Sequence, residues 1–250
     1  MSTELLSSFF LTKESFNYLK PEAHILILDY STSRIGTPTI EPWVRKSGVV
    51  TSHFVDAESP LPEDLLKKGF THIIHSGSEL SIMEESSFTG PAMDLIREAA
   101  TLGIAQMGIC YGSQLICKAL VGGEAVRASP QGFEAGWEEV SFNAQAQSLM
   151  GVNSIEQVWQ HHFDEVSLIP DGASILATNK HTRIQAWIEP SKRLLGTQFH
   201  PEVVRRMGNK IFRKDRQLLE EHGYDLDKIV LQGPSPNIGK VIFDYFTESV

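Results

Sequence analysis

Apolar and polar positions follow two rhythms along the chain. HILILDY (His24–Tyr30) is nearly continuous in branched apolar residues, as a strand buried on both faces of a parallel sheet should be. VVTSHFV, THIIHSG and IAQMGI repeat that pattern around residues 49–55, 71–77 and 104–109. Between them the spacing predicts a short helix near Trp43–Lys46, a helix over Leu61–Lys68, and one from Pro91 to Leu102 with Met93, Ile96 and Ala100 on one face. Strand and helix in alternation predict an α/β fold: a mostly parallel central sheet, right-handed crossovers, flanking helices, and ligands beyond the carboxyl ends of the strands.

After Gly122 and Gly123 the rhythm shortens. EAVRA, WEEVSF, IEQVWQHHFDEV, SILATN, RIQAWIEP and RLLGTQF read as additional short, largely antiparallel strands, with NAQAQSLMGV as a small helix. Val204–Glu221 reads as one helix with Val204, Met207, Ile211, Leu218 and Leu219 inward and a basic outer face, and NIGKVIFDYF as a terminal packed helix with Ile238, Val241, Ile242, Tyr245 and Phe246 on one face. Residues 1–22 form an extension whose Leu5, Phe9, Phe10 and Phe16 suit an amphipathic turn, and 23–250 suit a single domain.

Composition narrows the function. With 31 acidic against 22 basic residues the net charge is −9, which disfavours a nucleic-acid partner. Two cysteines in 250 residues give no disulfide framework and point to a reducing cytoplasm. LLSSFFL lacks the basic start of a signal peptide, and no apolar run reaches membrane-spanning length, so no membrane association is expected. His72 and His75 lie three apart on a strand and so face opposite ways, which disfavours a metal there; no metal or organic cofactor is expected.

The candidate chemistry sits in GICYGSQ, Gly108–Gln114. Gly108 and Gly112 allow a strand to reverse tightly into a helix and thrust Cys110 outward, as in a nucleophile elbow. A helix N-terminus favours a thiolate, and the Tyr111 N–H points where an oxyanion would form. A glycine-rich turn around an inert buried cysteine is the alternative, and Cys117 reads as core. GTQFHPE supplies His200 as a base and Glu202 to orient it, with Pro201 ending strand pairing, so that the segment is expected at a sheet edge.

G-x-C-x-G-x-Q followed about 90 positions later by Q-F-H-P-E resembles the class I, Cys-His-Glu triad, glutamine amidotransferases, from about His24 onward. CYGSQ is most similar to the glutaminase domain of GMP synthetases, and FEAGW (Phe133–Trp137) to free-standing γ-glutamyl peptidases. The resemblance implies a flavodoxin-like fold of that family, catalytic Cys110, His200 and Glu202, and an oxyanion hole from the backbone of Gly77 and Tyr111, with Ser78 where a second Gly is usual. It also implies substrate contacts from Gln114, from His162, Phe163 and Asp164 in HHFD, where Asp164 would meet the substrate ammonium, and from Glu134, which could equally brace its loop. The implied activity is hydrolysis of glutamine or a γ-glutamyl compound through a γ-glutamyl thioester. Either the chain works alone or it feeds ammonia to a separate synthetase such as a GMP-synthetase-type partner; a catalytically quiet binding homologue is the third possibility.

Overall fold

A computed structural model describes residues 22–250; the extension expected over residues 1–22 therefore lies, save Glu22, outside the described residues. The first half builds the parallel part: β1 (Ala23–Asp29), α1 (Gly36–Val44), β2 (Gly48–Phe54), β3 (His72–His75), α2 (Thr89–Thr101), β4 (Ala105–Ile109) and α3 (Tyr111–Leu120). The second half adds β5 (Val126–Ala128), β6 (Glu134–Phe142), α4 (Ala144–Met150), β7 (Ile155–His162), β8 (Asp164–Val166), β9 (Ser174–Thr178), β10 (Ala186–Glu189) and β11 (Leu194–Thr197). Helices α5 (Arg205–Lys214), α6 (Arg216–Glu221), α7 (Leu226–Ile229) and α8 (Ile238–Ser249) close the chain. The fold is α/β, as expected. Nine strands form one sheet in the order β2-β1-β3-β4-β11-β10-β9-β6-β7, while β5 and β8 pair separately. The strands from β2 to β11 are parallel, and those from β10 to β7 antiparallel.

The apolar run of β1 accounts for the two-faced burial. Side chains alternate across a strand, so Ile25 and Ile27 join Met107, Ile109 and the α8 residues Ile242, Phe243 and Phe246 on one face. Leu26 and Leu28 join Ile73, Ile96 of α2 and Leu115 of α3 on the other. All four β1 residues are fully buried.

Several elements differ from the sequence expectation for identifiable reasons. Helix α1 begins at Gly36, not near Trp43, because its first N–H groups are capped from β1 and the loop after it: the Asp29 carboxylate accepts from Thr37 N at 2.6 Å, and Ser31 Oγ accepts from Ile35 and Gly36 N. Over Leu61–Lys68 only a 3₁₀ turn at Leu65–Lys68 forms: a proline at 62 disfavours helical backbone in the residue before it, and Gly69, at φ 76°, stops the turn. Helix α2 buries Ala92, Leu95, Ile96 and Ala99 rather than the face of Met93 and Ala100, which are half-buried. The helix expected over Val204–Glu221 breaks at Asp215, whose carboxylate pairs with His161 at 3.2 Å. Strand β11 lies between β4 and β10, inside the sheet, so Pro201 follows a strand end and not a sheet edge.

Both glycines of the elbow are required by close approach. A Cβ on Gly108 would lie 2.4 Å from Ser113 N, and one on Gly112 would lie 2.2 Å from the His75 carbonyl oxygen, where α3 presses on the end of β3. Backbone cannot yield as a flexible side chain can. Gly112→Ala is therefore expected to destabilise the fold by about 1–3 kcal/mol, the usual cost of overpacking. Urea denaturation measures it, and an unchanged midpoint would mean that β3 and α3 do not meet this closely.

Candidate active site

Cys110 joins β4 to α3 with φ 49° and ψ −109°, a conformation that non-glycine residues rarely adopt. The surrounding hydrogen bonds hold it there. Its N–H donates to Thr197 O of β11 at 2.7 Å, and its carbonyl accepts from Gln114 N at 3.0 Å in the first turn of α3. The side chain is 5% exposed and borders a cavity of about 490 Å³.

Two parallel neighbours, β4 and β11, end side by side, and beyond β11 the chain carries His200 back to the sulphur. The His200 N–H donates to Trp159 O at 3.1 Å, and its ring meets the Trp159 indole edge-on with centroids 4.9 Å apart. His200 Nδ1 lies 2.7 Å from Glu202 Oε1. The turn that sets this geometry is clamped from outside: Trp43 Nε1 of α1 donates to Glu202 O at 3.1 Å, and Gly239 of α8 lies so close to Pro201 O that a Cβ would stand 2.5 Å from it.

The electrostatics of the imidazole follow from these neighbours. Burial alone would lower its proton affinity, but the Glu202 carboxylate, hydrogen-bonded to the ring, and the neighbouring Cys110 sulphur outweigh that and raise the His200 pKa from 6.5 to about 10. A thiol, an imidazole and a carboxylate thus stand in series, able to pass a proton from sulphur to nitrogen and onward to a leaving group. Cys117, by contrast, is fully buried one helical turn beyond the site, and burial drives its thiol pKa far up.

Gly77 follows β3 and lines the same cavity. A Cβ there would lie 2.6 Å from His200 Cε1, so the absence of a side chain makes room for the imidazole. Ser78 uses its hydroxyl to fix the loop, donating to Tyr30 O at 2.9 Å and accepting from Leu80 N at 3.1 Å. The loop is thereby tied to the end of β1, with its backbone held at the cavity wall. Tyr111 occupies the first position of α3, directly after Cys110.

The residues expected to touch substrate divide. Gln114, His162, Phe163 and Asp164 all line the cavity. Gln114 Nε2 donates to Asp164 O at 2.8 Å and Gln198 Oε1 at 3.2 Å, so its amide is engaged with the frame of the site. The Asp164 carboxylate accepts from Ser81 Oγ at 2.5 Å and Ile82 N at 3.2 Å. Phe163 is exposed and stacks on Phe133, with centroids 4.4 Å apart. Glu134 is placed behind the wall and not on it. Its carboxylate accepts from His162 Nε2 at 2.9 Å, Asn179 Nδ2 at 2.5 Å and Gln185 Nε2 at 3.1 Å. Burial alone would raise the Glu134 pKa, and the hydrogen bonds from His162 and Asn179, with the electrostatic pull of His162 and His181, more than offset it, leaving it lowered. Glu134 thus braces His162, which stands between it and the cavity.

Gln198 escaped the sequence reading. Its side chain donates to Cys110 Sγ at 3.5 Å and accepts from Gln114, linking α3 to the segment that carries His200. Its position two residues before His200 was the available signal, since alternate residues of an extended segment share a side. Among the described residues no group of three or more His, Cys, Asp or Glu side chains is arranged to hold a metal ion. No helix among them is long and apolar enough to cross a membrane.

Comparison with known proteins places this geometry. The family model for glutamine amidotransferase class-I matches residues 40–218. GMP synthase [glutamine-hydrolyzing] of Staphylococcus epidermidis is 35% identical over 196 residues, 78% of this chain and 36% of its own length. The Staphylococcus aureus protein of the same name is 35% identical over 185 residues, 74% of this chain and 33% of its own. The chain thus spans about a third of the length of these curated relatives. Among solved structures, a glutamine amidotransferase from Thermotoga maritima superposes with a TM-score of 0.75 at 20% identity, covering 91% of this chain and 99% of that one. One from Methylobacillus flagellatus gives 0.73 at 19%, covering 90% and 94%; both support the fold. The family match over most of the sequence, on a chain that sets Cys110 beside His200, shows that this protein belongs to the class I glutamine amidotransferases.

Proposed function

We propose that the chain hydrolyses a γ-glutamyl amide bond, in glutamine or a γ-glutamyl compound, as a stand-alone enzyme with Cys110, His200 and Glu202 as its triad. The observation that carries this reading is the Glu202–His200 contact of 2.7 Å, with the imidazole and the Cys110 sulphur bordering one cavity. The sulphur attacks the γ-carbonyl carbon, and the carbonyl electrons move onto oxygen, where the backbone N–H groups of Tyr111 and Gly77 receive the charge. The tetrahedral species collapses by breaking the C–N bond, and His200 gives the departing nitrogen its proton. Water then loses a proton to His200 and attacks the thioester. The C–S bond breaks, glutamate leaves, and the sulphur returns to its starting state. Gln114, His162, Phe163 and Asp164 hold the glutamyl end.

A second reading keeps the chemistry and changes the consumer of the ammonia. It is favoured by the 35% identity to proteins named GMP synthase [glutamine-hydrolyzing], of which this chain matches about a third. In that reading a separate synthetase takes the ammonia, and glutamine turnover rises when it is added.

Purified chain should release ammonia or amine from a panel of glutamine, γ-glutamyl peptides and glutathione without any partner. Cys110→Ala should abolish release, and more than trace turnover by that variant would remove the sulphur from the mechanism. Glu202→Gln should lower kcat by roughly a hundredfold to ten-thousandfold, the range for a general acid–base group whose function is impaired. Silence alone followed by turnover with a synthetase would rank the second reading first.

The His200 proton also makes stability depend on pH. Its folded pKa of about 10 lies above the ordinary 6.5, so the folded state binds that proton more tightly. The resulting stabilisation is fully present below about 6.5 and is lost as pH rises through about 10. Urea denaturation of the wild type against Glu202→Gln should show a gap that narrows across that window. A gap independent of pH would mean that Glu202 does not hold the proton in place.

A further inference from the structure

The cavity beside Cys110 has two unlike walls. The loops after β1 and β3 and the start of β8 give a mixed one: Ser33, Ile35, Glu79, Leu80 and Asp164. Helices α5 and α6 and the segment before them give an apolar one: Val203, Met207, Ile211 and Leu218. Glutamine releases ammonia, which has no carbon to bury, so an apolar wall contributes nothing to that leaving group. Resting on the γ-glutamyl reading above, we infer that this wall is the amine-side subsite and that the amine it receives is an apolar amino acid, its own carboxylate turned toward Lys214.

The wall is built as a fixed surface. Gly208 lets α5 pack against two indoles, since a Cβ there would stand 2.6 Å from Trp159 and 2.7 Å from Trp137. Asn209, next along, accepts from Trp137 Nε1 at 2.9 Å and donates to Val230 O at 2.9 Å. Phe212 is fully buried beneath. With its inner residues anchored in this way, α5 offers Met207 and Ile211, half-buried, to the cavity. Pre-positioned apolar surface lowers the cost of ordering on binding.

Charge selects the other end of the amine. Lys214 is the one lysine or arginine lining the cavity among the described residues. The adjacent Asp215 is already paired with His161 at 3.2 Å, and Lys214, whose charge acts on Asp215 without direct contact, makes no salt bridge within 4.0 Å among the described residues. An apolar side chain against Ile211 and Leu218, with a free carboxylate at the lip, meets both features at once. The favoured substrate class is therefore a γ-glutamyl dipeptide of a large apolar amino acid, cleaved to glutamate and that amino acid.

Steady-state kinetics of the purified chain with γ-glutamyl-leucine, γ-glutamylglycine, glutamine and γ-glutamyl-isopentylamine, which lacks the carboxylate, test this. We expect kcat/KM for γ-glutamyl-leucine to exceed that for γ-glutamylglycine by about tenfold or more, the range for filling an apolar pocket. The ratio should fall toward one in Ile211→Ser and in Leu218→Ser, and Lys214→Met should raise KM for γ-glutamyl-leucine and γ-glutamylglycine alike while leaving KM for γ-glutamyl-isopentylamine unchanged. A ratio near one in the wild type, or glutamine preferred over γ-glutamyl-leucine, overturns the subsite while the γ-glutamyl reading stands. If no compound is cleaved and a glutamine-derived chloroketone fails to label Cys110, the γ-glutamyl reading and the subsite fall together.

Discussion

The structure depends on one backbone constraint: Cys110 is held at positive φ. A residue with a Cβ pays about 1–3 kcal/mol for such a conformation, so it persists only where its neighbours determine it more than once. Here the determination comes from two directions. The N–H of Cys110 is bound by Thr197 of β11, and its carbonyl starts the hydrogen-bond ladder of α3. Releasing the strain would mean pulling β4 away from β11 or fraying the first turn of α3. The cost of either exceeds what a relaxed turn would return.

That constraint explains why glycines surround it. A strand that turns into a helix at such a sharp junction brings α3 against its own strand and against β3, and Gly108 and Gly112 are the positions of contact. The same economy appears across the site at Gly77, where the missing side chain is the space filled by the His200 ring. Three glycines from two separate segments thus serve a single arrangement. They let a sulphur and an imidazole on different strands approach, where a methyl group at any of the three would intrude.

Local sequence was informative wherever the physics is local. Continuous apolar runs located β1, β3 and β4, and the glycine spacing located the elbow, because burial on two faces and tight turning leave marks within a few residues. Features decided by distant partners were not legible. Helix α1 starts early because Asp29 and Ser31 cap it, and an N-terminus capped from a preceding strand end lacks the usual signature just before the helix. The break at Asp215 answers to His161 on β7, more than fifty residues away, and no periodicity within Val204–Glu221 encodes it. Glu134 was placed on the cavity and stands one layer behind it. A Glu in a rim motif reads alike whether it faces the cavity or the histidine that lines it, and only the fold orders the layers.

The behaviour of Glu202 follows from how its two oxygens are treated. Oε1 meets His200, while Oε2 is buried without a hydrogen-bond partner. A buried carboxylate oxygen left unpaired is costly unless a nearby cation offsets it. The imidazolium is that cation, so the same desolvation that would penalise an isolated Glu strengthens its hold on the His200 proton. Adding a donor to Oε2 would satisfy the carboxylate and weaken this hold, making the imidazole a poorer reservoir for the proton. Trp43 reaches the same residue but binds its backbone carbonyl, fixing the turn while leaving the carboxylate charge directed at the ring. Rigidity is thus supplied through the main chain and electrostatics through the side chain, and the two do not compete for the same atoms.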